Sequence, residues 1–206
     1  MRVGFFATNE PYVSMAKHLL ESVRDVMPGV KVFQLGDMKS PLLEGIDGVV
    51  VPPAAYLPLE RKRVLAQACC EGDWLFCDSD VTIQKDVRAV FDDPFDVAIT
   101  NRDGTITTEG DYAKVMPYNM GVCFSRSPQF WLTVDLMIQQ LPANFQNWEG
   151  EQRVIATIMK SDHHFDIAVL PGMAFNYPPK SSTDDLRHAS IVHWKGNRKQ
   201  WMQRAA

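Results

Sequence analysis

Asp78-Ser79-Asp80 is the first place in the chain where residue types and spacing suggest chemistry. In extended backbone, residues two apart point to the same side, so both carboxylates can converge on one point. Two carboxylates held close repel each other, and a divalent cation relieves that repulsion. Oxygen ligands select Mg²⁺, Mn²⁺ or Ca²⁺, and Mg²⁺ in particular keeps coordination positions open for phosphate oxygens. A lone D-x-D triplet also fits a solvated turn. What favours a site here is its position directly after Trp74-Leu75-Phe76-Cys77, the most hydrophobic strand-like run in the chain.

The second chemical feature is the C-terminal segment. Residues 186–206 contain no acidic side chain but include Arg187, Lys195, Arg198, Lys199 and Arg204. The chain as a whole has 21 basic and 25 acidic residues and a formal charge of −4, so this is a local reversal of sign that suggests an anion site. Within it, Val192-His193-Trp194-Lys195-Gly196 puts a histidine at a strand end, followed by a glycine that lets backbone approach a ligand. A neutral His193 imidazole is a candidate third metal ligand, and Lys195 or Lys199 a point charge for a diphosphate.

The elements that must position these residues read as alternating strands and helices. Arg2-Val3-Gly4-Phe5-Phe6-Ala7-Thr8 is a first strand, and Pro11 can open a helix that continues through Met15, Leu19, Leu20 and Val23 until Pro28-Gly29 stops it. Strands are expected at 30–35, 48–51 and 74–77, with a helix at 59–70. Further strands are expected at 96–100, 118–124, 167–170 and 190–194, with helices at 130–141 and 151–159. This spacing implies βαβ units and a mostly parallel central sheet flanked by helices, in a single α/β domain spanning 1–206. In such sheets ligands bind outside the carboxyl ends of the strands. That directs attention to Thr8-Asn9, Asp78-Ser79-Asp80, Asn101-Arg102-Asp103 and the His193 region.

Composition excludes several classes. With 206 residues, 46% of them apolar, the chain is too hydrophobic for disorder and long enough for a sizeable core. Its mild acidity argues against general nucleic-acid binding, and no apolar run reaches the length of a membrane span. The first eight residues are too short for a signal-peptide core. Cys69, Cys70, Cys77 and Cys123 form no C-x-x-C pair, which suits reduced thiols in a cytoplasmic protein.

Together these residues resemble a known family. Trp74-Leu75-Phe76-Cys77-Asp78-Ser79-Asp80-Val81 resembles the metal-binding strand of GT-A fold glycosyltransferases. Three further blocks follow in the order seen in family 8, the glycogenin-like and bacterial lipopolysaccharide galactosyltransferase-like enzymes. Tyr118-Asn119-Met120-Gly121-Val122 resembles their Asn-x-Gly-Val strand, and Glu151-Gln152 their Asp-Gln helix start. His193-Trp194-Lys195-Gly196, with Lys199 and Trp201, resembles the closing His-x-x-Gly and Lys-Pro-Trp. Glu151 replaces the usual Asp and Gln200 the usual Pro, and 206 residues is short for the family.

The resemblance implies a Rossmann-like GT-A domain, with a nucleotide-binding half at 1–100 and a sugar and acceptor half at 101–206. It implies that Asp78, Asp80 and His193 hold Mn²⁺ or Mg²⁺ against the donor diphosphate, with Gly196 and Lys199 on the phosphates. Asn119, Gly121, Glu151 and Gln152 would line the sugar pocket. Thr8, Asn9 and Tyr12 would lie by the nucleoside, and Lys62 takes the place of a family Lys or Arg ahead of the D-x-D strand. The expected function is metal-dependent transfer of a sugar from a nucleotide-diphosphate donor, UDP-sugar favoured, to a saccharide, a lipid-linked glycan or a protein.

An inverting reaction needs a carboxylate base, for which Glu151 and Asp103 are the candidates. A retaining one lets the leaving phosphate take the acceptor proton, with Gln152 stabilising developing charge; retention is the preferred reading. Three alternatives stand beside this one. A non-catalytic nucleotide-sugar-binding or scaffold protein would keep the fold. A sugar nucleotidyltransferase would want a Gly-rich basic loop after the first strand, which Thr8-Asn9-Glu10-Pro11 does not supply. A metal-dependent phosphohydrolase would want more carboxylates. The oligomeric state is open.

Overall fold

The computed structural model describes residues 1–52, 57–102 and 112–202. The chain starts with a buried strand, Arg2–Phe6 (β1), and a helix, Tyr12–Val26 (α1), whose Val13, Ala16, Leu19, Leu20 and Val23 form its buried stripe. Gly29, at a φ of 82°, takes the left-handed turn after that helix, a conformation that favours glycine. Two strands follow, Lys31–Leu35 (β2) and Gly48–Val50 (β3), then the helix Leu59–Ala68 (α2). Trp74–Asp78 (β4) carries the first acidic residue of the D-x-D triplet at its end, and Val81–Ile83 (β5) begins just beyond the second.

The second half contributes Val97–Asn101 (β6), the short helix Tyr112–Val115 (α3) and the long strand Tyr118–Ser125 (β7). Helices Pro128–Gln139 (α4) and Gly150–Ile158 (α5) follow, then Ile167–Leu170 (β8) and the single turn Gly172–Phe175 (α6). Ser127 caps α4 by accepting from the Phe130 N–H, with Pro128 in the first turn. Ile191–His193 (β9) and Lys199–Met202 (α7) complete the described chain.

Seven strands form one sheet in the order β3-β2-β1-β4-β7-β6-β8. β3, β2, β1 and β4 run parallel, β7 is antiparallel to both neighbours, and β6 and β8 are parallel. The sheet crosses both halves of the chain, because β4 from the first pairs with β7 from the second. Alternation along the strands divides the core between its two faces. Leu75 and Cys77 of β4 join Val3, Phe5, Leu19 and Phe124 on one side, and Trp74 and Phe76 join Phe130, Trp131 and Ile155 on the other.

Most expected elements are present within one or two residues of the expected bounds. The ones sequence reading missed are short: β5 has three residues and α6 four, too few for a hydrophobic period to be read. β5 matters most, because it pairs antiparallel with β9 as a separate two-stranded sheet. No helix among the described residues is long and apolar enough to cross a membrane.

Candidate active site

The β5–β9 pair joins the two chemical segments of the sequence. Its register sets Val81 opposite His193, and the Trp194 N–H donates to the Asp80 carbonyl at 2.9 Å. Trp194 Nε1 also donates to Thr82 Oγ1 at 2.9 Å, so the crossing is tied by side chain as well as backbone. His193 Nε2 therefore lies 3.1 Å from Asp80 Oδ1 and 3.5 Å from Asp78 Oδ2. One ligand atom from each of Asp78, Asp80 and His193 falls within 4.8 Å of the others.

Two carboxylates and an imidazole make an O,O,N donor set suited to Mg²⁺ or Mn²⁺. The neighbouring backbone is shaped to admit it. A Cβ on Gly121 would sit 2.1 Å from His193 Cε1 and 2.8 Å from Asp78 Oδ2, so only glycine lets β7 pass behind the cluster. Asp80 is 6% exposed and His193 3%. Burial alone would raise the Asp80 carboxyl, but the His193 ring and the Lys199 ammonium, 3.0 Å from Oδ2, hold it below the usual carboxylate range.

The cluster opens into a cleft of about 410 Å³. Of the sequence-predicted residues, Thr8, Asn9, Tyr12, Asp78, Asp80, Asn119, Gly121, Glu151, Gln152, His193, Lys195, Gly196 and Lys199 all line it. The Lys199 ammonium stands 5.0 Å from the centre of the Tyr12 ring, which is 42% exposed and offers a flat apolar face at one end of the cleft. Gly196 has a φ of 59°, the left-handed conformation that favours glycine at the turn leading to Lys199. Asp103 lies outside the described residues.

Lys62 does not reach the cleft. Successive residues of a helix point about 100° apart, and on α2 three basic residues diverge accordingly. Arg61 forms a two-pronged pair with Asp135 of α4 at 2.8 and 3.2 Å, Lys62 turns to Asp37 at 3.3 Å, and Arg63 enters the site. Arg63 donates to Asp78 Oδ1 at 2.6 Å and to the Met120 carbonyl at 2.5 Å, and lies 3.7 Å from Glu151 Oε2. Burial opposes its charge, but Glu151 and Asp78 more than offset that and keep the guanidinium protonated. The α2 sequence gave little indication of which basic residue faces inward, since its buried positions are only Val64, Ala66 and Gln67.

Glu151, Gln152, Arg102, Trp148 and Lys195 line the same cleft. Glu151 is 3% exposed and its Oε1 has no hydrogen-bond partner among the described residues. Burial pushes its carboxyl up to about 7, against the pull of Arg63. Arg102 donates to Gln152 Oε1, and Gln152 Nε2 donates to the Trp148 carbonyl at 3.2 Å, so the amide is held in one orientation. Burial, together with nearby Arg102, brings the Lys195 amine down to about 7. Asn176 is a further residue that sequence reading did not single out: it is 2% exposed and bonds His193 Nδ1 at 2.8 Å. All four cysteines are free thiols; Cys70, Cys77 and Cys123 are buried, and burial drives their thiols up, which makes them unreactive.

The mixed seven-stranded sheet, with a D-x-D turn at the carboxyl end of β4 and a histidine brought to it by the separate β5–β9 pair, has a GT-A-like architecture and resembles in fold solved glycosyltransferases, among them one of the lipopolysaccharide galactosyltransferase type. No protein-family model matches the chain, and no curated protein matches it in sequence. The likeness is to solved structures. A glycosyltransferase involved in glycosylating the major capsid of PBCV-1 superposes with a TM-score of 0.61 at 17% identity, covering 99% of this chain and 100% of that one. The galactosyltransferase LgtC, in complex with donor and acceptor sugar analogs, gives 0.63 at 13% identity, covering 98% and 94%. GlyE of Streptococcus pneumoniae TIGR4 gives 0.63 at 13% identity, and there the chain spans 60% of the longer protein.

Proposed function

We propose that this chain is a metal-dependent glycosyltransferase that takes a sugar from a nucleotide-diphosphate donor, UDP-sugar favoured, and transfers it with retention of configuration. The carrying observation is the Asp78–Asp80–His193 cluster at the edge of the cleft of a glycosyltransferase-type fold. Mn²⁺ or Mg²⁺ held by these three side chains would supply Lewis-acid stabilisation of the leaving diphosphate. Lys199, already beside Asp80, and the Gly196 backbone are placed to bind the same phosphates, and Lys195 adds positive charge. Tyr12 offers its ring to the base, with Thr8 and Asn9 beside it.

The sugar falls to Asn119, Glu151, Gln152 and Arg63, which converge from β7, α5 and α2. Arg63 holds Asp78 and neutralises charge at Glu151, while the open Oε1 of Glu151 is an acceptor or donor for a sugar hydroxyl. A structure of LgtC carrying an active-site glutamine-to-glutamate exchange supports an active-site part for Gln152. In the retaining reaction the bond from sugar carbon to phosphate oxygen breaks and a bond to the acceptor oxygen forms on the same face. The acceptor proton passes to the departing phosphate. Gln152, fixed by Arg102, stabilises positive character on the ring through its amide dipole.

The acceptor is a saccharide, a lipid-linked glycan or a protein. A cytoplasmic setting suits the four free thiols and a donor of this kind. The test is incubation with UDP-glucose and UDP-galactose plus Mn²⁺, without acceptor. Slow release of UDP and of a sugar with retained anomeric configuration is expected, abolished by chelation. Binding without any release, even with supplied sugar acceptors, would mark a scaffold and overturn the enzymatic reading.

A further inference from the structure

His193 offers its two ring nitrogens to different surroundings. Nε2 faces Asp80 and Asp78, and Nδ1 lies 2.8 Å from Asn176 Oδ1. Which end of the Asn176 amide meets the ring is decided by its other end. Asn176 Nδ2 lies 2.6 Å from Thr100 Oγ1, 2.9 Å from Asn119 Oδ1 and 3.3 Å from the Asn119 carbonyl. The carbonyl can only accept. Asn119 Oδ1 is identified as the oxygen because it accepts the Gly121 backbone N–H at 3.0 Å. The Thr100 hydroxyl gives its single proton to the Asn119 carbonyl at 2.7 Å, so toward Asn176 it too accepts. Three acceptors therefore surround Nδ2, and a flipped amide would set oxygen against all three. With nitrogen on that side, Asn176 Oδ1 must accept from the ring, and His193 Nδ1 must carry the proton.

We propose that Asn176 is a positioning residue that holds a His193 proton on Nδ1, so that Nε2 is the nitrogen presented to a divalent cation shared with Asp78 and Asp80. The device rests on the metal-site reading above, but its evidence is the hydrogen-bond network alone. Thr100, Asn119, Asn176 and His193 are 0, 7, 2 and 3% exposed, so water has little access to offer the ring an alternative partner. Partners of this kind fix a ligating histidine's tautomer and orientation, and losing one costs metal affinity about 10–100-fold. Asn176 also ties the site to the main sheet, since Thr100 is the next-to-last residue of β6 and Asn119 the second residue of β7, whereas His193 ends β9 of the separate β5–β9 pair.

The test is nitrogen-15 NMR of the histidine rings in the intact protein, paired with Mn²⁺ titration followed by electron paramagnetic resonance. The wild-type His193 ring should show a proton on Nδ1, bonded to Asn176. Asn176→Ala should shift the proton to Nε2 and weaken Mn²⁺ about 10–100-fold. A wild-type ring with a bare Nδ1 would overturn the proposal without any variant having to fold. So would a folded Asn176→Ala protein with wild-type Mn²⁺ affinity. A correct tautomer in a protein that binds no Mn²⁺ would overturn the metal reading while leaving the Asn176–His193 lock in place.

Discussion

The parts of the cleft proposed above for the metal and for the sugar are finished to different degrees. At the metal end each group is held by the chain itself: His193 by Asn176, Asp80 by Lys199, Asp78 by Arg63. In the proposed sugar part Glu151 Oε1 is buried without a hydrogen-bond partner among the described residues, and Lys195, its amine brought down to about 7 by burial, lines the same cleft. A spherical cation can be received by a preformed cage, because it asks only for lone pairs aimed at one point. A sugar brings its own hydroxyls, so its pocket must keep polar atoms that the ligand satisfies. Leaving such a group unmet costs about 1–3 kcal/mol, which binding recovers.

The largest break is expected at the metal end. Gly121→Ala would drive a methyl group to 2.1 Å from His193 Cε1, so the ring must leave its place. Metal-dependent UDP binding should fall at least about 100-fold by calorimetry, beyond what loss of one outer partner costs. Retained affinity would mean that His193 is not a ligand. Arg63→Ala comes next, because it strips the countercharge from both Asp78 and Glu151. Removing one partner of a buried ion pair costs about 3–5 kcal/mol, readable as a lower urea midpoint together with lost UDP release.

Glu151→Gln probes the sugar end and has a defined pH signature. Its folded-state pKa, about 7, lies above the ordinary 4.5, so the folded protein holds the proton longer than the unfolded chain does. Below pH 4.5 both states are protonated and there is no penalty; the penalty grows between 4.5 and 7 and is complete above. Glu151→Gln should therefore match wild type in Tm near the acid end of that window and exceed it at alkaline pH, while UDP-sugar turnover falls. Equal Tm differences across the window would contradict the burial of an uncompensated carboxyl. The smallest effect is assigned to Lys62→Ala, which loses only a partly exposed pair with Asp37. It should cost under about 1 kcal/mol and leave UDP release unchanged, in contrast to its neighbour Arg63.

That contrast shows what was legible in the sequence. Asp78, Asp80 and His193 were readable because carboxylates and imidazole at strand ends have few purposes, and Glu151 and Gln152 stood at a recognisable helix start. Their meeting point was not readable, since it depends on β5, three residues that carry no period of their own. Arg63 was missed by one position because the apolar residues of α2, Leu59 apart, are bunched in its second half and trace no single inward face. Asn176 was hidden differently. Its neighbours Tyr177-Pro178-Pro179 have the composition of a surface turn, whereas Tyr177 is 3% exposed and bridges to Val192 beside His193. A buried amide shows its purpose only through its partners, and those lie on strands distant in sequence.

Asp78, Asp80 and His193 are proposed to bind a divalent cation through which the nucleotide diphosphate is held. Calorimetric titration of UDP in the presence of Mn²⁺ and in the presence of chelator, for wild type and Asp80→Asn, tests it most directly. Binding to wild type with Mn²⁺ only, and none to Asp80→Asn under either condition, is the predicted result. UDP binding that is equally tight with chelator, or undiminished in Asp80→Asn, would contradict it.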